Sequence, residues 1–320
     1  MFRCHSAQPN LPKWTMRWWL HHVAVFLPVA ANLGIFDTFS NQDLRDAVRR
    51  WSTDSKNLTL RYGQIHEWNV SQITNMSELF RDMKHFNENI SNWDVSNVQD
   101  MSGMFRGATS FNMPLGAWNT SSVTDVTAMF DSAAAFNQDI GGWDMSSVKD
   151  MSFMFYGATS FHMHIGAWNT SSVTDVKAMF YDAAAFNQEI GAWDMSSVKD
   201  LSYMFRGATS FNMPIRWDTS LVKDMSYMFY GATSFNMPIG AWNTSSVRDV
   251  NTMFYNAAAF NQDIGGWDMS SVKDMSFMFY GATSFNMPVR AWNTSSVTDV
   301  RDMFYNAAAF NQDIGGWDMS

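Results

Sequence analysis

Aspartate residues recur at a regular spacing along the chain, and their carboxylate oxygens are typical calcium ligands in proteins. Stacked carboxylates would repel one another and could recruit cations between successive coils of a repeat. Calcium loops supply several acidic ligands each, whereas most stretches here supply one or two. We therefore expect each aspartate to cap the N–H groups of a following helix, with no metal bound. The column comprises Asp100, Asp125, Asp150, Asp175, Asp200, Asp224, Asp249, Asp274 and Asp299.

Other polar and soft side chains recur in the same way. His162 and His164 could touch a metal, but no third ligand is nearby in the sequence. A methionine column, including Met154, lies beside phenylalanine at helical spacing and is expected to fill the core. An asparagine amide both donates and accepts, so an asparagine column can bridge adjacent backbones. It comprises Asn87, Asn112, Asn137, Asn187, Asn212, Asn236, Asn261, Asn286 and Asn311, with His162 as the exception.

Signatures of catalysis are missing from the sequence. There is no glycine-rich phosphate loop, no G-x-S-x-G and no H-E-x-x-H. Paired carboxylates occur only as repeated copies, whereas a catalytic pair needs two different environments. We therefore predict a protein that is not an enzyme and that has no cofactor and no metal site.

Aromatic side chains form a second set of repeated positions, expected on the outer face of each coil. Tyrosine offers a rigid apolar body with a polar tip, and exposed contiguous aromatic residues are typical of interaction surfaces. Alternatively, the rings stack on one another along the axis and bind nothing. The predicted interaction stripe comprises Phe153, Tyr156, Tyr181, Tyr203, Tyr227, Tyr230, Tyr255, Phe277, Tyr280 and Tyr305.

Asparagine glycosylation is a further chemistry that the sequence permits. Asn-x-Ser/Thr sequons can carry glycans in a eukaryotic host. Four of them recur because one type of repeat begins Trp-Asn-Thr-Ser, so the sequons can equally be a by-product of the repeat. The sequons are at Asn57, Asn69, Asn75, Asn89, Asn119, Asn169, Asn243 and Asn293.

A repeat of 25 residues must position all of these side chains. Tryptophan recurs every 25 residues from Trp68 to Trp317, except for a 24-residue step from Trp193 to Trp217. Two types of unit alternate, and the alternation also breaks between Trp193 and Trp217, where one residue is lost near Arg216. A lone coil cannot cover its apolar face, but stacked coils can, because identical residues form columns.

The apolar spacing within a unit predicts its secondary structure. Met151, Met154, Phe155 and Ala158 follow the i, i+3, i+4, i+7 pattern of a short helix that Asp150 would cap. Residues 146–149 are the best candidate for a strand. The sequence thus predicts an α/β repeat solenoid of leucine-rich-repeat type, with one short strand and one short helix per coil. The expected inward residues are Val148, Met151, Met154, Phe155, Ala158, Phe161, Ile165 and Trp168.

Three segments follow from these patterns. Residues 1–31 resemble a signal peptide, with an apolar run that ends at Ala31. Residues 32–67 form a predicted N-terminal cap with an amphipathic helix around Leu44, Val48 and Trp51, and residues 68–320 form about ten repeats. No cap is recognisable after the last repeat. The exposed edge predicts either a longer natural protein or end-to-end self-association.

Composition excludes several other classes of protein. The net charge of −9 argues against a nucleic-acid-binding protein, and 16% aromatic residues argue against a disordered chain. The single cysteine, Cys4, excludes a disulfide framework. No apolar run reaches the length of a membrane span, so no span is expected once the signal peptide is cleaved.

The repeat resembles a known family. Its pattern, W-[DN]-x-S-x-V-x-D-[MV]-x-x-M-F-x-x-A-x-x-F-N-x-x-I, is similar to that of BspA-like leucine-rich-repeat proteins, found in Mycoplasma and Listeria surface lipoproteins and in algal and diatom proteins. The resemblance implies a secreted or surface-displayed solenoid that mediates adhesion or binds an unknown protein or glycan. The alternatives are a structural or ice-binding array, or a fragment whose activity lies in a missing domain.

Overall fold

The N-terminal part of the described fold is a long helix with a kink at Asp54, where the backbone leaves the helical conformation. The computed structural model describes residues 38–318, so the predicted signal peptide lies outside the described residues. Helix α1, Asn41–Tyr62, begins after Ser40, whose side chain forms a reciprocal capping box with Asp43. It ends at Gly63, whose φ of +78° favours glycine. As its amphipathic pattern predicts, α1 buries one face, including Leu44, Ala47 and Val48, in the core shared with the coils.

The helix predicted in each coil does not form. Over residues 101–108, alternate N–H groups donate to the next coil instead of to their own turn, as Met101 does to Asp125 at 3.0 Å and Phe105 to Met129 at 2.9 Å. Between them, the N–H groups of Met104, Arg106 and Ala108 close four-residue turns, and that of Ser102 donates to the Asp100 carboxylate. Gly103 and Gly107 take positive φ. Because every coil has a neighbour to bond with, the backbone is satisfied without an α-helix.

The predicted strand is reduced to a single bridge. Residues 146–149 form no strand, and the residue that follows them, Asp150, makes isolated parallel bridges to Asp125 and Asp175. No longer strand occurs within residues 38–318, where 3₁₀ helix Ile65–Glu67 and α1 are the regular elements. The chain is therefore a solenoid of turns held together by hydrogen bonds between coils, and it lacks the predicted strand and helix in each coil.

The predicted inward residues are nevertheless correct. All eight, from Val148 in the coil that begins at Trp143 to Trp168 at the start of the next coil, are buried, with exposures of 0 to 4%. One phenylalanine column, from Phe80 to Phe304, stacks between adjacent coils with ring centroids 5.4 to 5.7 Å apart. The methionine column is buried beside it, for example Met154 at 0%. The interior of the solenoid is thus a set of parallel apolar ladders.

Tryptophan adds a polar link between the coils. Stacked neighbours such as Trp118 and Trp143 have ring centroids 6.3 Å apart, as predicted for a tryptophan column. The buried indole N–H of Trp143 donates to the carbonyl of Leu115 in the preceding coil at 3.0 Å, and equivalent bonds recur along the chain. Each tryptophan therefore fills the core and fixes the position of the adjacent coil.

Candidate binding surface

The ten residues of the predicted stripe form one connected chain of rings. Tyr156 stacks on Tyr181 at 4.2 Å, and Tyr255 stacks on Tyr230 at 4.7 Å and on Tyr280 at 4.5 Å. Contacts of 4.6 to 6.4 Å connect the remaining members. Nine of the ten side chains are half-buried, and Tyr305 is 53% exposed. The rings cover one another's faces and present their edges to solvent.

Arg206 occupies a gap in the tyrosine column. Its guanidinium carbon lies 4.4 Å from the ring centroid of Tyr181 and 4.6 Å from that of Tyr230, so the cation is held between two aromatic faces. It also donates to the phenol oxygen of Tyr181 and lies 4.0 Å from the Asp182 carboxylate. Arg206 is not among the predicted stripe residues, and its cation fills the column between Tyr181 and Tyr230.

The stripe is densest where the alternation of units breaks. Two successive units of the same type bring Tyr203 and Tyr227 to 4.6 Å, and the Lys177 amine lies 5.9 Å from the Tyr203 ring centroid. Burial, followed by the nearby Tyr227, raises the pKa of the Tyr203 phenol. The Tyr203 hydroxyl therefore stays protonated and can donate as well as accept hydrogen bonds.

The residues that position the stripe are those of the turns described above. Tyr156 lies next to the buried Phe155, so the inward phenylalanine and the outward tyrosine share one turn. Phe153 takes a φ of +58°, which is unusual for a bulky residue, and Tyr203, Tyr227 and Phe277 share that conformation. The rings therefore lie half-buried on the outer side of the coil, where turns with positive φ position them and not the predicted helix.

Comparison with known proteins places the chain in a family. The model of the DUF285 family, described as a Mycoplasma protein of unknown function, matches residues 48–166, 138–235 and 215–317. The chain belongs to the DUF285 family. No curated protein sequence matches the chain.

A solved structure is a more distant match. The chain is similar to one in the crystal structure of a TLR13–ssRNA13 complex, at 9% sequence identity and a TM-score of 0.25. The match covers 85% of this chain and 48% of that one, so this chain spans about half the length of that structure. A TM-score this low establishes no common fold.

The asparagine column of this DUF285 chain has the structural role predicted for it. The backbone N–H of Asn261 donates to the Asn236 side-chain oxygen at 2.9 Å, and the same bond joins equivalent residues in other coils. His162 breaks this ladder. Its N–H still donates to Asn137, but the following Asn187 has no asparagine oxygen to accept its own N–H.

The aspartate column caps turns and not helices. The Asp150 carboxylate accepts from the backbone N–H of Ser152 at 2.8 Å and from its hydroxyl at 2.6 Å. Burial raises the pKa of Asp175 and of Asp249, and neighbouring aspartates add to the effect. Within residues 38–318, no group of three or more His, Cys, Asp or Glu side chains is arranged to hold a metal ion.

The predicted glycosylation sequons differ in their surroundings. The Asn75 amide nitrogen donates to Asp100 at 2.9 Å, so a glycan there would break a bond between coils. Asn69 is half-buried, whereas the remaining sequon asparagines are exposed: Asn57, Asn89, Asn119, Asn169, Asn243 and Asn293. None of the helices in the described part of the chain is both long and apolar enough to cross a membrane.

Proposed function

We propose that this DUF285 protein is a non-enzymatic, exported interaction protein that binds a protein or a glycan through the tyrosine stripe. The observation that carries the proposal is the unbroken chain of ten rings on the outside of the coils, nine of them half-buried and Tyr305 exposed. Contiguous exposed aromatic side chains are typical of interaction surfaces, and tyrosine combines apolar area with a hydroxyl for directional bonds.

Packing alone does not require tyrosine at these positions. The same outward position holds Arg81, Arg106 and Asp131 in earlier coils, and there Arg106 forms an ion pair with Asp131 at 2.9 Å. The inward column, by contrast, is phenylalanine in every coil from Phe80 to Phe304. Because this position holds a charged residue in some coils and tyrosine in others, core packing does not determine which residue type occupies it. This favours a binding role for the stretch in which it is aromatic.

Export and surface display belong to the same proposal. The apolar run ending at Ala31 supports a secretion signal, and the repeat pattern resembles BspA-like surface proteins. An ordered-water array is less well supported by the contacts. The Thr109 and Thr283 hydroxyls donate to backbone carbonyls of the preceding coil, at 3.2 and 3.4 Å, so they are already engaged within the protein.

The test compares three forms of the chain in one binding screen against glycans and cell-surface proteins. Replacing Tyr156, Tyr230 and Tyr280 with Ser should reduce binding per folded molecule at least about tenfold, because the edges of the rings are removed. Replacing the same three residues with Phe keeps the stacking and removes only the hydroxyls, so it separates apolar contact from hydrogen bonding. Equal binding by all three forms would rule out the stripe as the ligand surface.

A further inference from the structure

A cavity of about 870 Å³ lies where the repeat is one residue short. Its lining comes from return segments of three successive coils and includes His164, Gln188, Glu189, Met213 and Arg216. None of the ten stripe residues lines it. The volume falls within the range of about 300–1,000 Å³ that is usual for small-molecule sites.

The missing residue changes the backbone beside this cavity. In the preceding coil, two residues separate Ile190 from Trp193, and the Trp193 N–H closes a turn onto Ile190 at 3.2 Å. In the shortened coil only Arg216 stands between Ile215 and Trp217, so the equivalent turn cannot form.

The indole of the next tryptophan also loses its partner. Trp242 is 6% exposed, and its Nε1–H has no acceptor within the described residues. Other indoles, such as that of Trp267, donate to the return segment of the preceding coil, at 3.1 Å. The backbone at residues 215–217 therefore departs from the repeat on the side of the core as well as at the surface.

Gln188 is left without the partner that its equivalents have. The side-chain amides of Gln138, Gln262 and Gln312 each donate at 2.9 Å to an asparagine oxygen in the preceding coil. In the coil that precedes Gln188, His162 occupies the position of that asparagine. Gln188 consequently makes no side-chain hydrogen bond among residues 38–318. Its amide is consequently free to meet a ligand.

Arg216 is unpaired for a related reason. Arg290 lies in the equivalent return segment of a later coil and pairs with Asp313 of the coil that follows. The coil after Arg216 is of the same type as its own, unlike the coil after Arg290, and it has Pro238 at the place equivalent to Asp313. Within the described part of the chain, Arg216 therefore has no ion pair or hydrogen bond from its side chain, and the same is true of Glu189.

The floor of the cavity is held by close backbone packing. A Cβ atom on Gly166 would lie 2.2 Å from the carbonyl oxygen of Glu189, and one on Gly191 would lie 2.5 Å from that of Pro214. Only glycine permits this approach, so the return segments are fixed in place. Met213 and Pro214 add apolar surface beside the polar groups.

From these observations we infer that the cavity binds a carboxylate-bearing sugar, such as a uronic acid unit of an oligosaccharide. The Arg216 guanidinium matches a carboxylate, and its free donors would form charge-assisted hydrogen bonds. Gln188 can donate and accept, and the Glu189 carboxylate accepts from hydroxyls. The C–H face of a pyranose fits against Met213 and Pro214. The site is independent of the tyrosine stripe and goes beyond the function proposed for it.

Calorimetric titration of the full chain with trigalacturonate and with its methyl ester tests this assignment. The ester keeps the hydroxyls and removes the charge, so we expect it to bind at least about tenfold more weakly than the acid. Arg216→Ala should weaken binding of the acid by a similar factor and abolish the preference for acid over ester. Gln188→Ala should weaken both ligands equally.

Matched controls separate this site from folding effects and from the stripe. Arg290→Ala removes the paired arginine of an equivalent segment and should leave the affinity unchanged. The variant with Tyr156, Tyr230 and Tyr280 replaced by Ser should also bind trigalacturonate normally, whatever happens in the stripe screen. The assignment is overturned if the folded protein gives no binding of the acid, if acid and ester bind alike, or if Arg216→Ala and Arg290→Ala have the same effect.

Discussion

Two aromatic ladders run along the same coils, one inside the solenoid and one outside. The inner phenylalanines stack at 5.4 to 5.7 Å, and outer tyrosines at equivalent positions of adjacent coils are closer, at 4.2 to 4.8 Å. The inner column is the same residue in every coil, whereas the outer one changes from charged to aromatic. The repeat thus brings equivalent residues into register in both ladders, but only the inner ladder is held to one residue type by burial.

Truncating the inner ladder should produce the largest loss of stability. Phe155 is fully buried and contacts Phe130, Phe161 and Phe180, so Phe155→Ala leaves a cavity in the core. We expect the free energy of unfolding to fall by about 3–5 kcal/mol, measured by urea denaturation. A loss below about 1 kcal/mol would mean that the interior does not resist truncation as its packing indicates.

Breaking the asparagine ladder should have an intermediate effect. Asn236→Ala removes the acceptor for the Asn261 N–H and for the Gln262 amide. We expect a loss of about 1–3 kcal/mol in the free energy of unfolding, since those groups are left without a partner. The reverse change, His162→Asn, restores an acceptor where the ladder is interrupted and should stabilise the fold. If both variants have the stability of the parent chain, the ladder does not contribute.

Exchanging tyrosine for arginine in the outer ladder should change stability little. Tyr255 lies between Tyr230 and Tyr280, and Arg206 already occupies an equivalent place between two tyrosines. Tyr255→Arg should therefore alter the free energy of unfolding by less than about 1 kcal/mol, because a cation–π sandwich replaces ring stacking. A larger loss would show that the outer ladder is fixed by packing, as the inner one is.

The smallest effect should come from charge in the aspartate column. Burial raises the pKa of Asp249, and the charges of Asp224 and Asp274 add to this, against the Asn251 N–H bond that lowers it. Because the folded-state pKa lies above the usual 3.8, the folded protein binds protons at Asp249 more tightly than the unfolded chain does. Protonated Asp249 therefore stabilises the fold at low pH, and this stabilisation is lost as pH rises from 3.8 to the raised pKa.

The corresponding variant is Asp249→Asn. Asn75 shows that an amide fits this column, because its oxygen accepts from Ser77 and its nitrogen donates to Asp100. The variant should be more stable than the parent by less than about 1 kcal/mol at neutral pH, and this difference should shrink below about pH 4. Denaturation curves at several pH values measure the difference in the free energy of unfolding between Asp249→Asn and the parent chain. A difference that is independent of pH would exclude the charge of Asp249 as its cause.

The sequence predicts the columns of this fold better than its secondary structure. The spacing of Met151, Met154, Phe155 and Ala158 identifies the buried residues, but a series of turns repeats with the same spacing as a short helix. One signal distinguishes the two. The position of Gly157 is occupied in every coil by Gly, Asp, Asn or Ser, and in every coil it takes a positive φ, which these residues tolerate better than others.

The candidate sites show a similar division. The outward placement of the aromatic stripe follows from the sequence, because the neighbouring Phe155 must face inward. The cavity does not follow from the sequence, because it depends on two missing partners. His162 replaces the asparagine that would accept from Gln188, and the break in the alternation places Pro238 where Arg216 would need an aspartate. Such an absence becomes visible only when the coils are stacked in register.

Calorimetry and binding measured on the same samples test the central claim, that the outer ladder binds a ligand and the inner one builds the fold. The samples are the parent chain, the variant with Tyr156, Tyr230 and Tyr280 replaced by Ser, and Phe155→Ala. The account predicts that the triple variant loses binding to the ligand found in the screen while its melting temperature stays much closer to that of the parent than Phe155→Ala does. A melting temperature as low as that of Phe155→Ala, with binding per folded molecule unchanged, would contradict it.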